Sequence, residues 1–231
     1  METDKKYKLT DECITIGDKK LYRIESLKDF AFIKKGDKGG FVESEENLSQ
    51  VGSCWIYNDT KVYGNAKVYG NARVYGDAKV CGDARVYGNA MVYGNAQVYG
   101  NAMVYGNAMV YDNAEIYDNV RVYGNAEVFG NVYIKGDADI SSISDYIFFK
   151  NWWSSGRCFT WTRSNNMWSV GCFYGTGEEL IAKAYKDSEI SGKEYELVVK
   201  YVESILKDGN TTTIVNKIKQ RLIKIIKKFN L

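Results

Sequence analysis

From Ile56 to Ile140 apolar and polar positions alternate on a six-residue cycle, as in Val62-Tyr63-Gly64-Asn65-Ala66-Lys67 and its successors. Period-2 alternation within each unit sends Ala66, Val68, Ala72 and Val74 to one side. Lys67, Tyr69, Arg73 and Tyr75 go to the other. Glycine and the asparagine or aspartate after it fill two turn positions, where positive φ is best tolerated. A unit this short cannot bury its own apolar face and must stack on a neighbour, so the pattern predicts an all-β solenoid. Three units close a turn, positions eighteen apart form ladders, and about fifteen strips make about five coils. At about 4.8 Å per coil the prism is about 24 Å tall.

Outward aromatic residues form three columns. Tyr57, Tyr75, Tyr93, Tyr111 and Phe129 make one; Tyr69, Tyr87, Tyr105 and Tyr123 a second; Tyr63, Cys81, Tyr99 and Tyr117 a third. Such columns are either stacking platforms for sugars, bases or a partner chain, or ladders that stabilise the strands. All three faces carry one, which favours the ladder. The variable position drifts from basic (Lys61, Lys67, Arg73, Lys79, Arg85) through Met91, Gln97, Met103 and Met109 to a mostly acidic end. Met91, Met103 and Met109 are a candidate subunit or partner contact, because soft apolar side chains on a surface often mark one. The alternative is surface drift.

The flanks divide the chain further. Residues 1–47 read as a small cap, with a strand at Leu21–Ile24 and a turn-rich stretch at Gly36–Phe41. Residues 48–142 are the solenoid, with Leu48–Trp55 a degenerate first coil. Residues 143–176 form an aromatic module, in which Cys158–Arg163 and Met167–Phe173 pair as a hairpin around Ser164-Asn165-Asn166 and set Cys158 opposite Cys172. Trp152, Trp153, Trp161, Trp168 and Phe173 there make either a packed core or a ligand pocket anchored by Arg157 or Arg163. Residues 177–231 are helical. Thr176-Gly177-Glu178-Glu179 is a loose N-cap signature and Ser191-Gly192-Lys193-Glu194 has capping-box spacing. Leu197, Val198, Tyr201, Val202 and Ile205 follow at helical spacing. A last helix from Thr212 carries Val215, Ile218, Leu222, Ile225 and Phe229 as a seam of about two heptads, flanked by lysines and Arg221. Self-association or docking on the chain itself is favoured for it over an anionic partner.

Composition narrows the chemistry. The 231 residues contain no histidine and no proline, and five cysteines without a C-x-x-C pair. The first absence removes the commonest general base and metal ligand, and the cysteine spacing argues against zinc. No metal and no cofactor are expected. The net charge of +2 gives nucleic acid no global attraction. No apolar run approaches a membrane span and Met1–Lys6 lacks a signal core, which points to the cytoplasm.

The aliphatic residue followed four positions later by a small one, as in Val86-Tyr87-Gly88-Asn89-Ala90, resembles the hexapeptide-repeat, left-handed parallel β-helix family. The left hand is implied by that resemblance, as is a trimer. Many members are acyltransferases using acyl-CoA with a histidine base at a trimer interface; without histidine, that activity is the alternative reading. The leader Leu21–Phe30, then Gly39-Gly40-Phe41-Val42-Glu43-Ser44-Glu45 and Asn47-Leu48-Ser49, resembles a bacteriophage and prophage protein group up to about residue 206. Genes in that setting frequently counter host immunity, which implies the cytoplasm of an infected bacterium.

The expectation is therefore a non-catalytic, oligomeric solenoid that sequesters a host defence factor or a small nucleotide-like ligand. Its candidate contacts are Trp153, Arg157, Trp161, Arg163 and Trp168, with Lys67, Arg73 and Arg85 as an electrostatic patch. Met91, Met103, Met109, Ile218, Leu222 and Ile225 are candidates for the oligomer interface. A structural element that assembles end to end through its basic and acidic coils is a further alternative.

Overall fold

The computed structural model describes residues 5–207. They divide into two compact units, one of residues 5–152 with 156–174 and the other of 153–155 with 175–207. The first unit is a parallel β-solenoid closed at both ends.

Its body is fifteen two-residue strands, β4 (Trp55–Ile56) through β18 (Asp139–Ile140), on three faces of five. Each strand pairs in parallel with the strand eighteen residues away: Met91 with Met109, Gln97 with Glu115, Lys67 with Arg85. Every valine and alanine of the repeat is buried, from Val62 and Ala66 to Ala126 and Val128. Burying a valine fully stabilises by roughly 1.5–3 kcal/mol, and repetition sums that gain along the axis.

The two turn positions play different parts. Only the glycine is left-handed, with φ of 70° at Gly64 and 71° at Gly88. Where another residue takes that place it keeps the conformation: Asn58 at 52°, Asp112 at 59°, Asp118 at 58°. The asparagine that follows has ordinary negative φ and works through its side chain. Asn71 Nδ2 donates to Asn89 Oδ1 at 3.1 Å, Asn89 to Asn107 at 3.0 Å and Asn107 to Asn125 at 3.1 Å. Side-chain amides thus repeat the main-chain ladder on the outside of each corner.

The first end is covered by a hairpin. β1 (Tyr7–Ile16) pairs antiparallel with β2 (Lys19–Ser26), which pairs with β3 (Lys38–Val42). β3 runs parallel to Lys61–Val62, and Leu48 bridges Val68, so with β4 the residues 38–56 make an irregular first coil. The Gly36–Phe41 stretch is thus largely strand. A Cβ on Gly39 would lie 2.6 Å from Ile24 Cγ1 and from Ile56 O, and one on Gly40 2.6 Å from Thr60 O, so these glycines serve close packing. Tyr7 and Phe30 set their rings edge-on to the buried Trp55 at 6.2 and 5.4 Å. Lys6, itself buried, bonds Cys54 O at 2.9 Å.

The other end meets β19 (Tyr146–Lys150), β20 (Cys158–Thr162), β21 (Met167–Val170) and β22 (Phe173–Gly175), adjacent in that order. The expected hairpin exists, but its register is one residue off. Thr162 pairs with Met167 and Phe159 with Val170, around a four-residue turn. That places Cys158 across from Gly171, whose φ of 55° ends the strand, and the two cysteines are not opposed. All five cysteines are free.

The second unit contains α1 (Gly177–Asp187) and α2 (Glu189–Lys207). The capping box belongs to Thr176 and Glu179: Thr176 Oγ1 accepts the Glu179 N–H at 3.3 Å, and Glu179 Oε2 accepts the Thr176 N–H at 2.8 Å. α2 begins two residues before Ser191, so the spacing at Ser191–Glu194 caps nothing. Its buried residues include Tyr195, Val199 and Val202, whereas Leu197 and Tyr201 are exposed. Gly192 admits the Tyr185 ring, since a Cβ there would overlap it. The seam at Ile218, Leu222 and Ile225 lies outside the described residues.

Candidate functional site

One cleft of the solenoid gathers charge. It encloses about 260 Å³ between Glu46, Asn47, Gly64, Asn65, Ala66, Lys67, Asp83 and Arg85. Its floor follows from the repeat: Ala66 points inward and is buried, leaving the residues on either side of it to stand outward. Its wall is Asn47, whose amide donates to Gly64 O and Ala66 O, each at 2.9 Å, while its Oδ1 accepts the Ser44 N–H at 2.9 Å. Asn47 is buried with both its amide and its carbonyl oxygen engaged, so it shapes the cleft.

The charged and polar side chains of the cleft form a two-by-two grid. Lys67 and Arg85 pair across adjacent strands. Two residues before each, at the corner, Asn65 Nδ2 donates to Asp83 Oδ1 at 2.9 Å. Among the described residues neither Lys67 nor Arg85 has a carboxylate within 4.0 Å. Like charges directly opposed on adjacent strands repel, and a bound anion bridging them removes the penalty. Further down the same face Arg121 meets its own acid, Asp139, at 2.6 Å.

The other expected contacts are dispersed. Arg73 stands on another face, paired with Trp55 and Met91, so it does not extend the Lys67–Arg85 pair. Its Nη2 lies 3.4 Å from Met91 Sδ, and the Tyr75 hydroxyl donates to that sulfur at 3.2 Å. Met91 and Met109 are neighbours in one ladder; Met103 belongs to the face of Arg85 and Arg121. Trp161 and Trp168 face each other across β20 and β21, both buried, with Trp161 Nε1 donating to Asn166 Oδ1 at 2.9 Å. Arg157 and Arg163 flank opposite ends of β20 and are exposed. Trp153 is in the second unit, its ring 5.1 Å from Tyr195. The sheet therefore uses its tryptophans as core.

The tyrosine columns are occupied by one another. Tyr69, Tyr87 and Tyr105 stack at 4.8 and 4.9 Å with rings 3° from parallel, and Tyr93 and Tyr111 at 4.9 Å and 2°. Interior rings have both faces covered, which leaves edges and hydroxyls outward. Burial, with the bond donated to Glu127, pushes the Tyr111 phenol up to about 12. Burial and the Tyr133 hydroxyl raise Tyr99 further. Phenols held protonated donate hydrogen bonds at neutral pH and are poor substitutes for a histidine base.

Asn65, Asp83, Glu46 and Asn47 escaped the sequence reading. The first two stand at repeat positions read only as turns. Glu46 and Asn47 come from the irregular first coil, where no repeat guides the eye.

Residues 66–82, 84–96 and 96–112 match the family model described as the YdcK β-solenoid repeat, so the chain is similar to that repeat over part of its solenoid. No curated protein matches the chain. Among the described residues no helix is long and apolar enough to cross a membrane.

Proposed function

We propose that the chain is a non-catalytic binding protein that captures a small phosphate-bearing ligand of the nucleotide class on its rigid solenoid. The observation that carries this is the Lys67–Arg85 pair, two cations in register, neither with a carboxylate within 4.0 Å among the described residues, at the rim of a cleft. The Lys67–Val68 strand is held by its ladder to Arg85–Val86 on one side and by the Leu48 bridge and the Asn47 amide on the other, so little conformational entropy is lost on binding. In the setting implied by the bacteriophage-group resemblance, capture of this kind withdraws a host signal. The Met91–Met109 ladder is the face we assign to contact between copies. End-to-end assembly is disfavoured, because β1–β3 and β19–β22 already cover the terminal coils.

Titration calorimetry with adenosine 5′-monophosphate tests the reading. Lys67→Glu with Arg85→Glu should weaken binding at least tenfold, or about 1.4 kcal/mol. Arg73→Glu, on a different face, should leave it unchanged. Equal affinity in the double variant removes the cleft from consideration.

A further inference from the structure

The cation pair accounts for half of the grid. The other half presents acceptors. Asn65 spends its amide on Asp83 Oδ1, and among the described residues no donor is bonded to Asn65 Oδ1 or Asp83 Oδ2. A row of acceptors thus runs beside a row of cations. The rows are two residues apart on the strand, about 7 Å, which is the span of one pentose between its phosphate and its hydroxyls. Resting on the reading above, we propose that the cleft is selective for a phosphate ester with a neighbouring vicinal diol, the phosphate held by Lys67 and Arg85 and the diol read by Asp83 and Asn65.

Size and charge bear on the same ligand. At about 260 Å³ the cleft falls just below the roughly 300–1,000 Å³ of sites that enclose whole drug-sized ligands. A sugar phosphate fills it, and a nucleoside base would project beyond it. Asp83 and Glu46 balance the two cations, so a single phosphate is welcome and a polyphosphate chain running on towards the carboxylates is repelled. Two acceptors, Asp83 Oδ2 and Asn65 Oδ1, each taking one hydroxyl proton also discriminate sharply, because the analogue lacking one hydroxyl leaves a polar group unmet.

The test uses the full chain and four probes: adenosine 5′-monophosphate, its 2′-deoxy analogue, ribose 5-phosphate and inorganic phosphate. Asp83→Asn is the diagnostic variant. It is compatible with the fold because Asn71, Asn89 and Asn107 already form such a ladder. The parent should prefer the ribonucleotide to the deoxynucleotide by roughly tenfold, and Asp83→Asn should reduce that ratio of affinities. Ribose 5-phosphate binding as tightly as the nucleotide identifies a pentose phosphate as the source; tighter nucleotide binding identifies a ribonucleotide. Equal affinity for the ribo and deoxy forms, with no effect of Asp83→Asn, overturns the diol assignment and leaves the anion site standing. Failure of all four probes removes the anion site itself, and this assignment with it.

Discussion

Thr160 Oγ1 accepts the backbone N–H of Tyr133 at 3.2 Å, and with that bond a sheet of parallel strands comes to its end. The same device recurs on the other two faces. Ser164 Oγ accepts the Asp139 N–H at 2.7 Å. The Tyr146 hydroxyl accepts the Phe129 N–H at 3.4 Å and donates to Glu127 O at 3.2 Å. Three terminal strands thus meet three side-chain hydroxyls, and each edge is closed without a further β-strand beneath it.

Thr160 is buried, so its replacement is informative. Thr160→Val keeps the shape and removes the acceptor, leaving the Tyr133 N–H unmet. Urea unfolding should show a loss of about 1–3 kcal/mol. A change below a few tenths would mean that water reaches the strand edge.

The glycine corner makes a second prediction. Asp112 and Asp118 adopt the left-handed conformation and spend their carboxylates on the next coil: Oδ2 of Asp112 accepts the Gly130 N–H at 3.1 Å, and that of Asp118 the Gly136 N–H at 3.0 Å. Gly106→Asp should reproduce this bond with Gly124, whereas Gly106→Ala bears the left-handed cost, about 1–2 kcal/mol, with nothing in return. Thermal unfolding should rank the aspartate variant above the alanine variant.

Alkali should find the tyrosine columns. Burial raises Tyr63 and Tyr111 to about 12 from the ordinary 10. The folded chain therefore keeps phenolic protons that the unfolded chain releases, so stability is undiminished below pH about 10 and falls between about 10 and about 12. Phenolate absorbance should rise together with unfolding. Tyr111→Phe, which keeps a ring in the column as Phe129 does, should soften the fall.

Lys135 anchors the closing sheet. Its Nζ lies 5.6 Å from the Tyr117 ring, 5.8 Å from Tyr133 and 5.7 Å from Tyr174, and donates to Cys172 O at 3.4 Å. Cation–π attraction reaches about 2 kcal/mol when desolvated. Lys135→Met should lose about that much in denaturant titration, and Lys135→Arg less. Equal values for the two variants would assign the stability to packing alone.

What could be seen in the sequence follows the repeat. Val62, Ala66 and their successors are buried where the alternation put them, and Tyr87 stacks on Tyr105 as the eighteen-residue period requires. Each of those placements needs only local periodicity. The features that escaped depend on contacts without a period. Gly39 and Gly40 are strand residues because Ile24, Ile56 and Thr60 press on them from elsewhere in the chain. The hairpin register turned on whether three or four residues make one turn. Ser191 resembled a cap, but Thr176 and the helix start at Glu189 had the geometry. In the cleft, Lys67 and Arg85 were visible as charges, while Asn65 and Asp83 became partners only once coils were stacked.

The three hydroxyl closures have a consequence for how this gene can change length. Loss or gain of eighteen residues returns Thr160, Ser164 and Tyr146 to equivalent strands, because each pairing repeats at that interval. Loss of six residues turns the closing sheet by about a third of a revolution, and each hydroxyl then confronts a strand built for another. Viable descendants should therefore differ by whole coils, with length counted in steps much as a screw thread counts turns.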